Sequence, residues 1–156
     1  MAENMLSINP IHRYNSVKLC LLVFILDILI TVLFSIVLFP EDKYGNNIKI
    51  SSIYEKVLIL VMLAPVFETY IFQKLFLEGA VMLTKEKIFS SIMVAILFGL
   101  AHWYSIPYII KAFFAGLLYN LLYLKIRDRQ QNAFWYVAVT HMSFNLFALI
   151  INESMK

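Results

Sequence analysis

The amino-acid sequence predicts an all-α protein, a polytopic integral membrane helix bundle with about five spans. Its 156 residues are 62% hydrophobic and 15% charged, and the mean hydropathy is +0.78. Soluble domains average about 45–50% apolar and about 25% charged residues, so this composition is typical of a membrane protein. Apolar runs of about 20 residues, the length that crosses a bilayer as a helix, recur along the chain.

Five such runs define the predicted helices in chain order. Their approximate bounds are 18–39, 56–77, 88–105, 108–126 and 133–151. The first run exceeds the apolar part of a signal peptide, about 7–15 residues, and no small-x-small cleavage site follows it. A tight turn at Ser105–Pro107 separates the third and fourth runs, because proline ends one helix and can open the next. We expect a single membrane domain over residues 1–156, with an N-terminal span and loop in residues 1–57.

Charge and cysteine usage exclude several classes of protein. The net charge of +3 is spread over the loops, so no basic patch predicts nucleic-acid binding. The single cysteine, Cys20, excludes an internal disulfide, and its apolar neighbours predict a packing role. If the amino terminus is inside, seven lysines and arginines flank the inner ends of the spans and four flank the outer ends. The positive-inside rule therefore predicts a cytoplasmic amino terminus.

Polar residues within three of the predicted helices form the candidate site. Glu68 lies about a dozen residues into the second run, and His102 lies near the end of the third. The fifth run carries His141 and Asn145, which share one helix face because they are four residues apart. Such groups are costly at bilayer depth and are rarely kept there unless they face one another. Taken alone, Glu68 could be a structural carboxyl and His102 an interfacial residue.

This set contains no strong nucleophile, since Ser143 points away from the face of His141. It suits hydrolysis by an activated water, with Glu68 as the base. The imidazoles and the amide would polarise the carbonyl and stabilise the tetrahedral intermediate. Glu68, His102 and His141 could also bind zinc, but the HExxH spacing typical of zinc proteases is absent. We therefore expect no cofactor and keep zinc as the alternative.

The order of the motifs resembles the CAAX protease and bacteriocin-processing family, membrane-embedded glutamate endopeptidases also called CPBP or Abi proteins. The family pattern is A-P-x-x-E-E-x-x-x-R, then F-x-x-x-H, then H-x-x-x-N, each on its own helix. The corresponding segments here are Ala64–Gln73, Phe98–His102 and His141–Asn145. The resemblance covers about residues 58–150, which would form a CPBP-like catalytic core.

The resemblance implies specific roles for the four residues. Glu68 would activate water together with His102, while His141 and Asn145 would stabilise the oxyanion, in a mechanism that is favoured to be metal-free. Bacterial members of the family are associated with maturing or degrading peptides, including bacteriocin-related ones, and with self-immunity. The resemblance thus implies a bacterial cell membrane and, besides the lipid bilayer, a peptide or membrane-protein substrate.

The chain departs from the family pattern at two positions. The second glutamate is Thr69 and the arginine is Gln73, four residues apart on one helix face. Replacing both partners of a buried ion pair changes the stability of a protein little, whereas replacing one leaves a buried charge without a partner. We expect Thr69 and Gln73 to contact each other or a nearby backbone group. The departure keeps open the alternative of a non-catalytic, CPBP-like membrane scaffold.

A second alternative is a small proton or ion carrier that uses Asp27, Glu68 and the histidines. The clustering of polar residues in three motifs argues against it. Asp27 and Asn120 are expected to form interhelical hydrogen bonds, and Lys111 to extend towards the nearby turn. Four aromatic residues near helix ends are expected at the membrane interface: Trp103, Tyr104, Trp135 and Tyr136.

Overall fold

The chain is helical through most of the part that the structure describes. The structure is a computed structural model that describes residues 10–39 and 52–154. These ranges contain five continuous helices and no strand, so the predicted all-α class is confirmed. The helices, numbered α1 to α5, comprise residues 10–38, residues 53–84, Lys87–Ala101, Ile106–Arg127 and Ala133–Ser154. Most of the predicted loop after the first span lies outside the described residues.

The helices expose apolar side chains, as expected of a bundle surrounded by lipid. Among the described residues, three stretches are long and apolar enough to cross a membrane: Asn15–Ser35, Ile106–Arg127 and Ala133–Ser154. Large side chains such as Leu29 (57% exposed) and Ile96 (47% exposed) point outwards from the bundle. Exposed apolar surface of this extent marks a membrane contact. Helix α3 has only 15 residues, about 22 Å at 1.5 Å per residue, and ends at Ala101 rather than at the predicted position 105.

Helices α3 and α4 are joined by a short turn and pack closely together. The Oγ of Ser105 accepts the N–H of Tyr108 at 3.2 Å and so caps α4. Pro107 lies in the first turn of α4, where a missing N–H breaks no helical hydrogen bond. A Cβ added at Gly99 would lie only 2.8 Å from the carbonyl oxygen of Ile109. The predicted turn is confirmed, and glycine permits the two backbones to approach each other.

Polar pairs at the helix ends show which ends lie together. Glu78 near the C-terminal end of α2 pairs with Arg127 at the C-terminal end of α4. In the turn after α4, Asp128 pairs with Lys87 at the start of α3, and Arg129 pairs with Ser16 near the start of α1. At the other end, Lys56 at the start of α2 donates to Glu153 near the end of α5 at 2.8 Å. Successive helices therefore run antiparallel, as the positive-inside argument requires. The membrane side that each end faces stays a prediction.

Helix α2 carries wide, π-helical turns on both sides of its central segment. These turns comprise Val57–Leu63 and Thr69–Leu77, and Ala64–Glu68 between them is α-helical. In the first stretch the N–H of Ala64 donates to the carbonyl of Ile59, five residues earlier. The same register would pair the carbonyl of Leu60 with residue 65, but Pro65 has no N–H. Proline therefore leaves a carbonyl of α2 accessible to another helix, two turns before Glu68.

Candidate active site

A carboxylate and two imidazoles converge between α2, α3 and α5. Oε1 of Glu68 is 3.9 Å from Nε2 of His102, and Oε2 of Glu68 is 3.7 Å from Nε2 of His141. These distances exceed the length of a direct hydrogen bond, about 2.7–3.2 Å. A carboxylate oxygen and a ring nitrogen this far apart can both bond to one water molecule. The Glu68 side chain is 25% exposed, so small molecules can reach the cluster.

His102 is oriented by the end of its own helix. Its backbone leaves the helical conformation at the C-terminus of α3, with φ −101° and ψ 49°. Nδ1 lies 2.7 Å from the carbonyl oxygen of Phe98. A carbonyl only accepts hydrogen bonds, so Nδ1 carries a proton and donates it to Phe98. In the neutral ring Nε2 therefore has a lone pair, and this is the nitrogen nearest to Glu68.

His141 is buried and held between aromatic rings. It is 7% exposed and lies on the inner face of α5. The ring of Tyr119 on α4 is stacked on it, with centroids 4.6 Å apart and planes 29° apart. Phe98 meets it edge-on at 6.3 Å and also contacts the His102 ring at 4.5 Å. The two imidazoles therefore share one aromatic neighbour, Phe98, which helps to fix their relative positions.

Asn145 is tied to the backbone of α2. Its Nδ2 donates to the carbonyl oxygen of Leu60 at 2.8 Å, the carbonyl that Pro65 leaves without a donor in the wide-turn register. Asn145 is one turn after His141 on α5, and Leu60 is eight residues before Glu68 on α2. The structure therefore brings His102 and His141 each within 4 Å of Glu68, whereas Asn145 is held one turn further along α5, on the Leu60 carbonyl.

A groove of about 490 Å³ lies elsewhere, between α1 and α5. Its walls are mainly apolar and include Leu21, Phe24 and Val139. None of the four predicted site residues lines this groove. Cys20, which does, is half-buried and packs against the core, as predicted.

Comparison with known families identifies the group to which this arrangement belongs. The family model described as Type II CAAX prenyl endopeptidase Rce1-like matches residues 51–147. The match covers more than half of the chain and includes all four predicted site residues. The chain belongs to the Type II CAAX prenyl endopeptidase Rce1-like family. Neither the comparison with curated proteins nor that with solved structures gave a match. The family resemblance inferred from the three motifs is confirmed.

In this Rce1-like protein both residues that replace the family's ion pair are buried. Gln73 donates through Nε2 to Oδ1 of Asn120 on α4, and Asn120 donates through Nδ2 to the carbonyl of Ser91 on α3, both at 2.9 Å. Within the described residues, Oγ1 of Thr69 has no hydrogen-bond partner. Thr69 and Gln73 were expected to contact each other or a nearby backbone group, but the hydrogen bond of Gln73 goes to Asn120, because α4 offers an amide at the same depth. Neither side chain faces lipid.

The remaining intramembrane polar residues pack or bond between helices. Asp27 on α1 accepts a hydrogen bond from the Tyr119 hydroxyl at 2.5 Å, and Asn120 bonds to two other helices, so both interhelical roles are confirmed. Lys111 packs against two aromatic rings. Its Nζ lies 5.1 Å from the centroid of the Tyr108 ring and 5.2 Å from that of Phe144. Cation–π attraction to two rings holds the ammonium inside the bundle.

The distances in the cluster are somewhat longer than those between the ligands of a bound zinc ion. Zinc binds nitrogen and oxygen ligands at about 2.0–2.2 Å, which places tetrahedral ligand atoms within about 3.5 Å of one another. The two distances from Glu68 to the imidazoles, 3.7 and 3.9 Å, are longer. Among the described residues no three histidine, cysteine or acidic side chains are grouped to hold one ion.

Two contributors to the cluster were missed by sequence reasoning. Tyr119, whose ring stacks on His141, belongs to no family motif and was treated as part of an apolar run. The Leu60 carbonyl carries no side-chain signal at all. The position of Pro65 five residues later could have indicated a free carbonyl, but only if the wide turns of α2 had been foreseen.

Proposed function

We propose that this protein is an intramembrane endopeptidase that hydrolyses peptide bonds with a water activated by Glu68 and His102. The observation that carries the proposal is the position of the Glu68 carboxylate, with one imidazole nitrogen 3.9 Å from Oε1 and another 3.7 Å from Oε2. Membership of a family of endopeptidases supports the reaction class. Oε2 of Glu68 is buried and accepts no hydrogen bond from the described residues, so no described donor competes for its lone pairs.

In the first step, Glu68 removes a proton from water. The lone pair on His102 Nε2 accepts the other water hydrogen, because Nδ1 is engaged with the Phe98 carbonyl. This second contact orients the water oxygen towards the scissile carbonyl carbon. General-base assistance of this kind contributes about 10²–10⁴-fold to the rate of hydrolysis.

In the second step, the water oxygen bonds to the carbonyl carbon and the carbonyl oxygen becomes an oxyanion. His141 and Asn145 are proposed to donate hydrogen bonds to it. An amide has two N–H donors, so Asn145 can bond to Leu60 with one and to the oxyanion with the other. Collapse of the intermediate breaks the C–N bond, and the protonated Glu68 returns its proton to the leaving amine. The products are a carboxylic acid and an amine.

The substrate is proposed to be a peptide or a membrane protein that enters from the lipid bilayer. We propose a role in peptide or bacteriocin-related processing or in self-immunity, in a bacterial cell membrane with the amino terminus cytoplasmic. The family description names prenylated CAAX substrates, so a farnesylated peptide is one of the probes that the test requires. We propose that the chemistry needs no cofactor and that metal chelators leave it unchanged.

The Thr69 and Gln73 positions favour one alternative function. The family's charged pair is replaced by a neutral network in which Gln73 bonds to Asn120 and Thr69 Oγ1 has no described partner. A membrane scaffold that kept the fold but lost the peptidase activity would tolerate this exchange. The two proposals differ in whether the folded protein cleaves any peptide.

The test is cleavage by the purified protein in phospholipid vesicles, followed by mass spectrometry. The probes are a farnesylated Cys-a-a-X peptide and a panel of unmodified apolar peptides. We expect wild-type cleavage, a loss of about 100-fold or more in His102→Ala, and near-wild-type activity in Ser143→Ala. Ser143 is the matched control because it is exposed and bonds only to the Val139 carbonyl of its own helix. Folded wild-type protein that cleaves no probe would support the scaffold instead.

A further inference from the structure

A buried acid on α1 is connected to the candidate site although α1 precedes the segment that the family model matches. Asp27 is 1% exposed and lies in the middle of α1, a position at which a carboxyl group is costly unless it has a partner. Its Oδ2 accepts the Tyr119 hydroxyl at 2.5 Å. This distance is typical of a strong, charge-assisted hydrogen bond.

Tyr119 carries the connection from α1 to His141. It is 1% exposed, so its ring is fully enclosed by the bundle. One face of the ring stacks on His141 at 4.6 Å, and the hydroxyl at the far end of the ring is fixed by Asp27. A sliding of the ring away from this position would therefore break the hydrogen bond. His141 Nε2 is in turn 3.7 Å from the Glu68 carboxylate.

We infer that Asp27 and Tyr119 are positioning residues that hold the His141 imidazole in register with Glu68. This inference rests on the proposed peptidase function and extends it to α1, which becomes a functional part of the site as well as a membrane span. Neither Asp27 nor Tyr119 touches the reacting atoms.

An alternative is that Asp27 only satisfies a buried tyrosine hydroxyl. An uncharged acceptor would do that equally well, and the loss of such a bond would affect stability without moving His141. The two explanations therefore differ in the position of the imidazole and in kcat, and both can be measured.

The kinetic test compares variants in vesicles with the peptide probe that the wild type cleaves fastest. Asp27→Leu and Tyr119→Phe should lower kcat by about 10- to 100-fold, as displacement of a catalytic group by about 1 Å does, with little change in KM. Asp27→Asn keeps an acceptor oxygen and should recover most of the activity. Tyr123→Phe is the matched control: Tyr123 is buried one turn further along α4, beside Glu78 rather than Asp27.

A second measurement does not depend on activity. The chain has three histidines, so the ring C–H signals of His141 can be assigned by NMR from His→Gln variants. Stacking on Tyr119 should shift the His141 signal upfield in the wild type. Asp27→Leu and Tyr119→Phe should move this signal downfield while leaving that of His102 in place, and Tyr123→Phe should move neither.

The outcomes separate this inference from the proposed function. Wild-type protein that cleaves no probe contradicts the proposed function, and the NMR signal then decides the Asp27–Tyr119–His141 connection alone. A His141 signal unchanged in folded Tyr119→Phe, or a kcat within about twofold of wild type in every Asp27 and Tyr119 variant, would overturn the inference. If Asp27→Leu fails to fold, Tyr119→Phe, which preserves the ring volume, provides the answer.

Discussion

Replacing Asn145 by alanine should produce a large catalytic loss and a small loss of stability. The structure shows one hydrogen bond from Nδ2 to the Leu60 carbonyl at 2.8 Å. Interhelical hydrogen bonds in membranes average about 0.6 kcal/mol and reach about 1.7 kcal/mol, so the free energy of unfolding should fall by no more than about 2 kcal/mol. Loss of one oxyanion donor lowers kcat by about 10²–10³, or about 2.7–4 kcal/mol. The catalytic effect should therefore exceed the effect on stability.

The assay combines kcat in phospholipid vesicles with unfolding of the same preparation in a denaturing detergent. Ser143→Ala is the control on the same helix, because its hydroxyl bonds only to the Val139 carbonyl at 2.8 Å. Its kcat should stay within about twofold of wild type. An Asn145→Ala variant with wild-type kcat would refute the oxyanion role. If the free energy of unfolding falls by more than the activation free energy rises, the main role of Asn145 is structural.

Three further predictions concern residues around the site and at the helix ends. Thr69→Val removes a buried hydroxyl without a described partner, so the free energy of unfolding should stay the same or rise by up to about 1 kcal/mol in denaturant titration; a large loss would disprove this. Asn120→Ala strands the amide of Gln73 and should cost about 1–3 kcal/mol, part of which the double exchange of both residues to leucine should recover. The hydrogen bond from Lys87 lowers the pKa of Asp128. The pair therefore stabilises the fold at pH values above the ordinary aspartate pKa of about 3.9, and this contribution is lost as the pH falls through the lowered pKa. Asp128→Asn should remove that dependence from a melting series, and an unchanged dependence would contradict it.

The predictable parts of the site are those that depend on one helix alone: the energetic cost of a polar group in an apolar run, and the spacing of residues along the helix. Glu68, His102 and His141 were identifiable because each places an ionisable group in an apolar run, which requires a protein interior around it. The pair of His141 and Asn145 followed from the helical period alone. The structure brings the three ionisable groups together as this reasoning requires.

The parts that could not be predicted depend on which side chains meet across helices. Gln73 was expected to contact Thr69 or a nearby backbone group, but it bonds to Asn120 on α4. The contacts of Lys111 with two rings on different helices were not foreseen. The role of Leu60 depends on wide turns in α2, and no side-chain pattern in the sequence signals them.

The most direct test of the central claim is the rate of peptide cleavage by Glu68→Gln. Glutamine keeps the volume of the side chain and a hydrogen-bonding carbonyl, but it cannot accept a proton from water. We predict that this variant inserts into the membrane and melts like the wild type while kcat falls by at least about 10²-fold. Cleavage at the wild-type rate by folded Glu68→Gln protein would contradict the assignment of Glu68 as the base.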